Sequence, residues 1–176
     1  LYASLICLGV KKNDEVLIPA FNFIASTNAI VASGAIPHFV DIELKTFGID
    51  PVRLDEYLLK ITYKKNNFTF NKRTGRRIKF IIPTHVFGHI CEINDLKKIC
   101  KKYNLKLIED ASEALGSFLN KKHAGTFGDL GVLSFNGNKI VTTGGGGAII
   151  CNNFRLAKKI RHFISNAKTQ HSWRSM

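Results

Sequence analysis

Residues 79–110 read KFIIPTHVFGHICEINDLKKICKKYNLKLIED. Two short apolar runs, KFIIP (79–83) and LKLIED (105–110), flank a stretch in which apolar residues recur at helical spacing. Leu96, Ile99, Cys100 and Tyr103 fall on one face of a helix over residues 94–103, with Asn94 as its expected cap. The flanking runs are apolar almost throughout, which suits strands covered on both faces. Strand, helix and strand in that order predict a layered α/β fold with a mostly parallel sheet.

The same alternation continues outward in both directions. EVLIP (15–19) reads as a strand, residues 23–33 as a helix stopped at Gly34, and IPHFV (36–40) as a second strand. Residues 51–61 suit a helix with Pro51 in its first turn and Asp50 as cap. The polar, basic stretch 63–77 predicts a loop or hairpin insertion. Downstream, GVLSF (131–135) and GAIIC (147–151) read as strands and residues 153–167 as the last helix. The opening LYASLICLG reads as the later half of a helix, and HSWRSM supplies no terminating element, so a piece cut at both ends is expected.

Composition narrows the classes of function. With 176 residues, 45% apolar and 22% charged, the chain suits one globular domain. No run approaches the roughly 18 apolar residues of a membrane span, and no secretory leader is visible. The four cysteines lack CxxC spacing, which argues against zinc. Cys7, Cys100 and Cys151 lie in apolar patterns and read as buried thiols, as in a reducing cytoplasm. The formal charge of +13 favours an anionic partner. Only Lys72, Arg73, Arg76, Arg77 and Lys79 cluster locally, and no nucleic-acid recognition motif accompanies them. A phosphate-bearing small molecule is therefore the expected partner, rather than nucleic acid or membrane.

Ligands of open α/β sheets bind beyond the carboxyl ends of the strands. There the sequence places Thr84 and His85, then Glu109 and Asp110, then Ser134, Asn136, Asn138 and Lys139, followed by Thr142, Thr143 and the run Gly144–Gly147. Taken alone, Asp110 suits a helix cap and Lys139 a solvated surface charge. Together they match one coenzyme chemistry: pyridoxal phosphate bonds to a lysine amine, and a carboxylate keeps its ring nitrogen protonated.

Six segments in order, IPAFNFIASTNAI (18–30), GAIPHFVDIELKTFGID (34–50), IIPTHVFGH (81–89), IEDASEALGS (108–117), HAGTFGDLGVLSFNGNK (123–139) and TTGGGGAI (142–149), resemble the DegT/DnrJ family of nucleotide-sugar aminotransferases. FGHICEINDL, EDASEALGSF and SFNGNKIVTTGGGGAI resemble its legionaminic-acid-type surface-sugar subgroup in particular. The resemblance implies part of the large domain of the fold type I transferases, a three-layer fold, over residues 1–176, without the small C-terminal domain. It implies pyridoxal 5'-phosphate as cofactor, a nucleotide-linked keto-sugar as substrate, glutamate as amino donor, and a cytoplasmic homodimer. Lys139 would anchor the cofactor and carry protons, Asp110 would face the ring nitrogen, Phe23 would stack on the ring, Ser134 would bind the phosphate and Glu113 would lie near the ring hydroxyl. His85 is a candidate for the substrate side, with a packed or turn-bonded histidine as the equal alternative.

The departures also carry information. The family's Gly-Thr phosphate turn would precede the first helix and is not in this sequence. Glu113 stands where many members have Gln or His, and Gly145 where many have Glu. Two rival readings remain. One is a pyridoxal-phosphate sugar dehydratase, whose members carry His at the lysine position. The other is a non-catalytic basic regulatory or binding domain.

Overall fold

Runs such as Val16–Ile18 and Phe80–Ile82 are fully buried, so their strands must be covered on both faces. The computed structural model describes residues 1–165. In chain order the elements are α1 (Tyr2–Cys7), β1 (Glu15–Pro19), α2 (Ile24–Ala32), β2 (Ile36–Val40) and α3 (Pro51–Ile61). A hairpin of β3 (Thr62–Lys65) and β4 (Phe68–Asn71) leads to β5 (Arg77–Ile81), α4 (Ile93–Tyr103) and β6 (Lys106–Asp110). A small hairpin of β7 (Phe118–Leu119) and β8 (Lys122–His123) precedes β9 (Leu130–Ser134), β10 (Gly147–Ile150) and α5 (Phe154–Ile164).

The main sheet runs β10-β9-β6-β5-β1-β2. Its β2, β1, β5, β6 and β9 are parallel to one another, whereas β10 is antiparallel to β9 and β4 is antiparallel to β5. Alternate strand residues point to opposite layers, as the pleat requires. Leu17, Ile81 and Leu107 pack with Leu54 and Leu58 of α3 and with Leu96 and Ile99 of α4. Val16, Ile18, Phe80, Ile82 and Ile108 pack with Leu5 of α1, Ile30 of α2 and Ile160 of α5. The result is the expected three-layer α/β fold, and the carboxyl ends of β1, β5, β6 and β9 share one edge.

Several boundaries and local features differ from the sequence reading. Strand β5 begins at Arg77 because Arg77 and Ile78 pair with Phe70 and Thr69 of the hairpin. Helix α4 starts at Ile93 with Glu92 at its N-cap and no side-chain cap, so Asn94 lies in the first turn rather than at the cap. Asp50 does cap α3, accepting from the N–H groups of Val52 and Arg53. Helix α5 ends at Ile164, and residues 166 and 167 of the expected helix lie outside those described. All four cysteines are free. Cys151 is only half-buried, since it follows the edge strand β10, whereas Cys91 is buried in the core beside α4. Burial pushes the Cys100 thiol up to about 12 and raises that of Cys91 as well, so neither is a nucleophile at neutral pH. No described helix is long and apolar enough to cross a membrane.

Candidate active site

Strand β6 ends on two carboxylates that face opposite ways. Glu109 points into the protein and is fully buried. It accepts hydrogen bonds from the N–H groups of Gly125 (2.8 Å), Phe127 (2.6 Å) and Gly128 (2.6 Å), and it lies 3.0 Å from His85 Nε2. The N–H of Cys91 donates to His85 Nδ1, which leaves the ring proton on Nε2 to donate to Glu109. Burial pushes the Glu109 carboxyl up, but His85 and the Gly128 and Gly125 N–H groups together outweigh it and hold the group below the ordinary carboxylate range. His85 is 0% exposed and both ring nitrogens are engaged. The structure thus corrects its expected place near substrate: a fully buried Glu109 needs a donor, and His85 supplies it.

Asp110 points the other way. It continues the parallel alignment past the strand end, bridging to Thr84. Ser26 Oγ, in the first turn of α2, donates to its Oδ2 at 2.5 Å. Ser112 donates to Oδ1 through its hydroxyl (2.6 Å) and its N–H (3.2 Å). These donors fix the orientation of the carboxylate.

Lys139 arrives from the end of β9. Beyond Ser134 the chain turns, with Lys139 N–H donating to Asn136 O (3.0 Å), and it returns to β10 through Phe135 N–H to Gly146 O (3.0 Å). Within the glycine run, a side chain at Gly147 would run into the Leu133 carbonyl, whereas one at Gly144 or Gly145 would meet open space. The Lys139 amine lies 3.6 Å from Glu113 Oε1, and the other oxygen of Glu113 accepts from the Phe87 N–H at 2.9 Å.

These groups line one cleft of about 440 Å³. Phe23, Asp110, Glu113, Ser134 and Lys139, all singled out in the sequence, are in its wall. Ser26, Ser112 and Phe87 line it too and were missed. The Asp-x-Ser spacing could have signalled Ser112; Ser26 and Phe87 carry no local signal. Asp110 and Lys139 therefore share one ring-sized space, large enough for a small cofactor. The Thr84 hydroxyl in the same wall is buried and has no hydrogen-bond partner among the described residues, which suits a ligand with a polar group there. A fixed carboxylate, an amine, an aromatic ring at the mouth and this unpartnered hydroxyl fit pyridoxal phosphate. Among the described residues no cluster suits a metal ion.

A family model described as the DegT/DnrJ/EryC1/StrS aminotransferase family matches residues 1–176. The chain belongs to that family. It is 36% identical over 161 residues to GDP-perosamine synthase of Caulobacter vibrioides, covering 92% of this chain and 39% of that relative. It is 35% identical over 171 residues to dTDP-3-amino-3,6-dideoxy-alpha-D-galactopyranose transaminase of Aneurinibacillus thermoaerophilus, covering 95% and 43%. The chain thus spans about two fifths of the length of these curated relatives. Among solved structures, a family member from Brucella abortus superposes with a TM-score of 0.85 at 27% identity, over 98% of this chain and 44% of that one. NtdA from Bacillus subtilis, solved with bound cofactor PMP, gives 0.76 at 35% identity over 92% and 33%.

Proposed function

We propose that this chain is part of the cofactor-binding large domain of a pyridoxal-phosphate-dependent aminotransferase, which passes an amino group from glutamate to a nucleotide-linked keto-sugar. The observation that carries the reading is the meeting of the Asp110 carboxylate and the Lys139 amine in one cleft at the carboxyl edge of the sheet. Bound there, pyridoxal phosphate supplies an electron sink for the carbon that loses its proton. Asp110, oriented by Ser26 and Ser112, holds a proton on the ring nitrogen. Lys139 anchors the cofactor and carries the proton on and off the reacting carbon. Phe23 stacks on the ring, Ser134 takes the phosphate, and Glu113 lies near the ring hydroxyl. A lysine, rather than a histidine, at position 139 favours transamination over dehydration.

The names of the relatives and the surface-sugar motifs support a finer reading of the acceptor. The acceptor belongs to surface-sugar biosynthesis, of the legionaminic-acid type or of the kind named in the perosamine and aminodideoxygalactose enzymes. The whole protein works as a homodimer in the cytoplasm. The test uses the full-length protein that carries this chain, loaded with pyridoxal phosphate. Amino-sugars such as GDP-perosamine are offered with 2-oxoglutarate, and glutamate formation is measured. Transfer is expected, and Lys139→Ala is expected to abolish it; a variant that turns over normally would overturn the assignment. Light scattering reads the oligomeric state directly.

A further inference from the structure

Phe87 sits in the tight turn Val86–Gly88 with φ 52° and ψ 24°. A bulky aromatic residue in the left-handed region is an outlier, and such backbone persists only where its surroundings hold it. Here they do. The Phe87 N–H donates to Glu113 Oε2 at 2.9 Å, Gly88 N–H to His85 O at 3.2 Å, and His89 N–H to Val86 O at 2.9 Å. Gly88 is left-handed as well (φ 83°), and a side chain there would press on the Glu113 carbonyl oxygen at 3.1 Å.

Core packing does not explain the ring this turn presents. Val86 beside it is buried, but Phe87 is 71% exposed and has no aromatic partner among the described residues. The ring stands in the wall of the cleft. A single carboxylate links the Phe87 backbone N–H to the Lys139 amine, because the other oxygen of Glu113 lies 3.6 Å from Lys139 Nζ. The turn thus holds an apolar flat surface at a fixed place beside that amine, in a wall that also carries the rings of Phe21 and Phe23.

We infer that Phe87 is a specificity-determining residue, its ring packing on the C–H face of the acceptor's pyranose ring, with Glu113 as the positioning residue that sets it there; this rests on the amino-transfer reading above. Polar groups in the wall take the charged parts of a ligand, and an exposed aromatic face takes C–H surface, of which a deoxygenated pyranose offers most. Glutamate offers no ring face. Removing the ring should therefore separate the two halves of the reaction.

The experiment uses the full-length protein with pyridoxal phosphate and the variants Phe87→Asn and Phe87→Gly. Both residues accept the left-handed backbone, so the variants should fold with equal or greater thermal stability. The glutamate half-reaction, followed by cofactor absorbance in a single turnover, should keep its rate within about twofold. With GDP-perosamine and 2-oxoglutarate, kcat/KM should fall about tenfold or more, mainly through KM; Phe87→Tyr should retain most of it. A GDP-perosamine kcat/KM within about threefold of the parent would overturn the inference, since loss of so large a contact is worth more than that. So would an equal fall in both halves, or a change of oligomeric state, which would mean that the ring packs on protein. If the parent protein's cofactor takes no amino group from glutamate, the amino-transfer reading fails and this inference fails with it. If the parent transfers and Phe87→Asn transfers equally well, only this inference fails.

Discussion

Asp110 is held by Ser26 and Ser112 through three hydrogen bonds, so its charge is oriented before any ligand arrives. Asparagine in its place keeps the shape and removes the charge. Asp110→Asn should therefore fold normally in the full-length protein and lose turnover by about 100-fold or more, the scale seen when an oriented electrostatic group is removed. Steady-state kcat measures it, and a loss below about threefold would remove Asp110 from the chemistry. Asp110, Ser134 and Lys139 were legible in the sequence because each follows a strand run that is easy to recognise. Ser26 was not: its contact with Asp110 spans 84 positions and depends on how α2 docks against the sheet. His85 misled for the opposite reason. Its place at a strand end resembles that of Asp110, but the direction of its side chain is decided by the buried Glu109, which needs its donor.

Local chemistry governs the elements with equal force. Asp50 accepts from two N–H groups in the first turn of α3, and Pro51 fixes the backbone that follows. Asp50→Ala should cost about 1 kcal/mol. Urea unfolding would report it, and a change under about 0.3 kcal/mol would show that packing of Leu54 and Leu58 alone holds the helix. Most elements were legible because Gly34, Asp50 and Pro51 mark helix ends and because apolar runs mark strands. The start of α4 was not, since its N-cap residue Glu92 makes no cap bond while Asn94 has the usual capping chemistry two residues too late. The register of β5 was equally hidden: Arg77 belongs to the strand because it pairs with Phe70 across the hairpin, a contact no local pattern encodes.

At the scale of the whole molecule, stability is tied to two buried carboxylates at opposite ends of the sheet. Glu15, at the amino end of β1, is driven up by burial but held below the ordinary range by His38, Thr74 and Asn71. Glu109, at the carboxyl end of β6, is likewise driven up by burial but lowered overall by His85 and the N–H groups of Gly128 and Gly125. Each folded value lies below the unfolded one of about 4.3, so each group contributes stability that is fully present above that value and is lost as pH falls through the folded one. Protonation also adds positive charge to a chain already at +13, so self-repulsion grows over the same range. The unfolding free energy should stay level from about pH 7 to pH 5 and fall steeply below about pH 4.5. Glu109→Gln should be less stable at pH 7, because an amide cannot accept from all four donors, and its stability should fall less steeply in acid because one of the coupled protons is gone. Urea unfolding of the full-length protein at stepped pH measures both slopes. Parallel curves for parent and variant would mean that Glu109 is not linked to folding, and that the edge carrying Asp110 is held by packing rather than by charge.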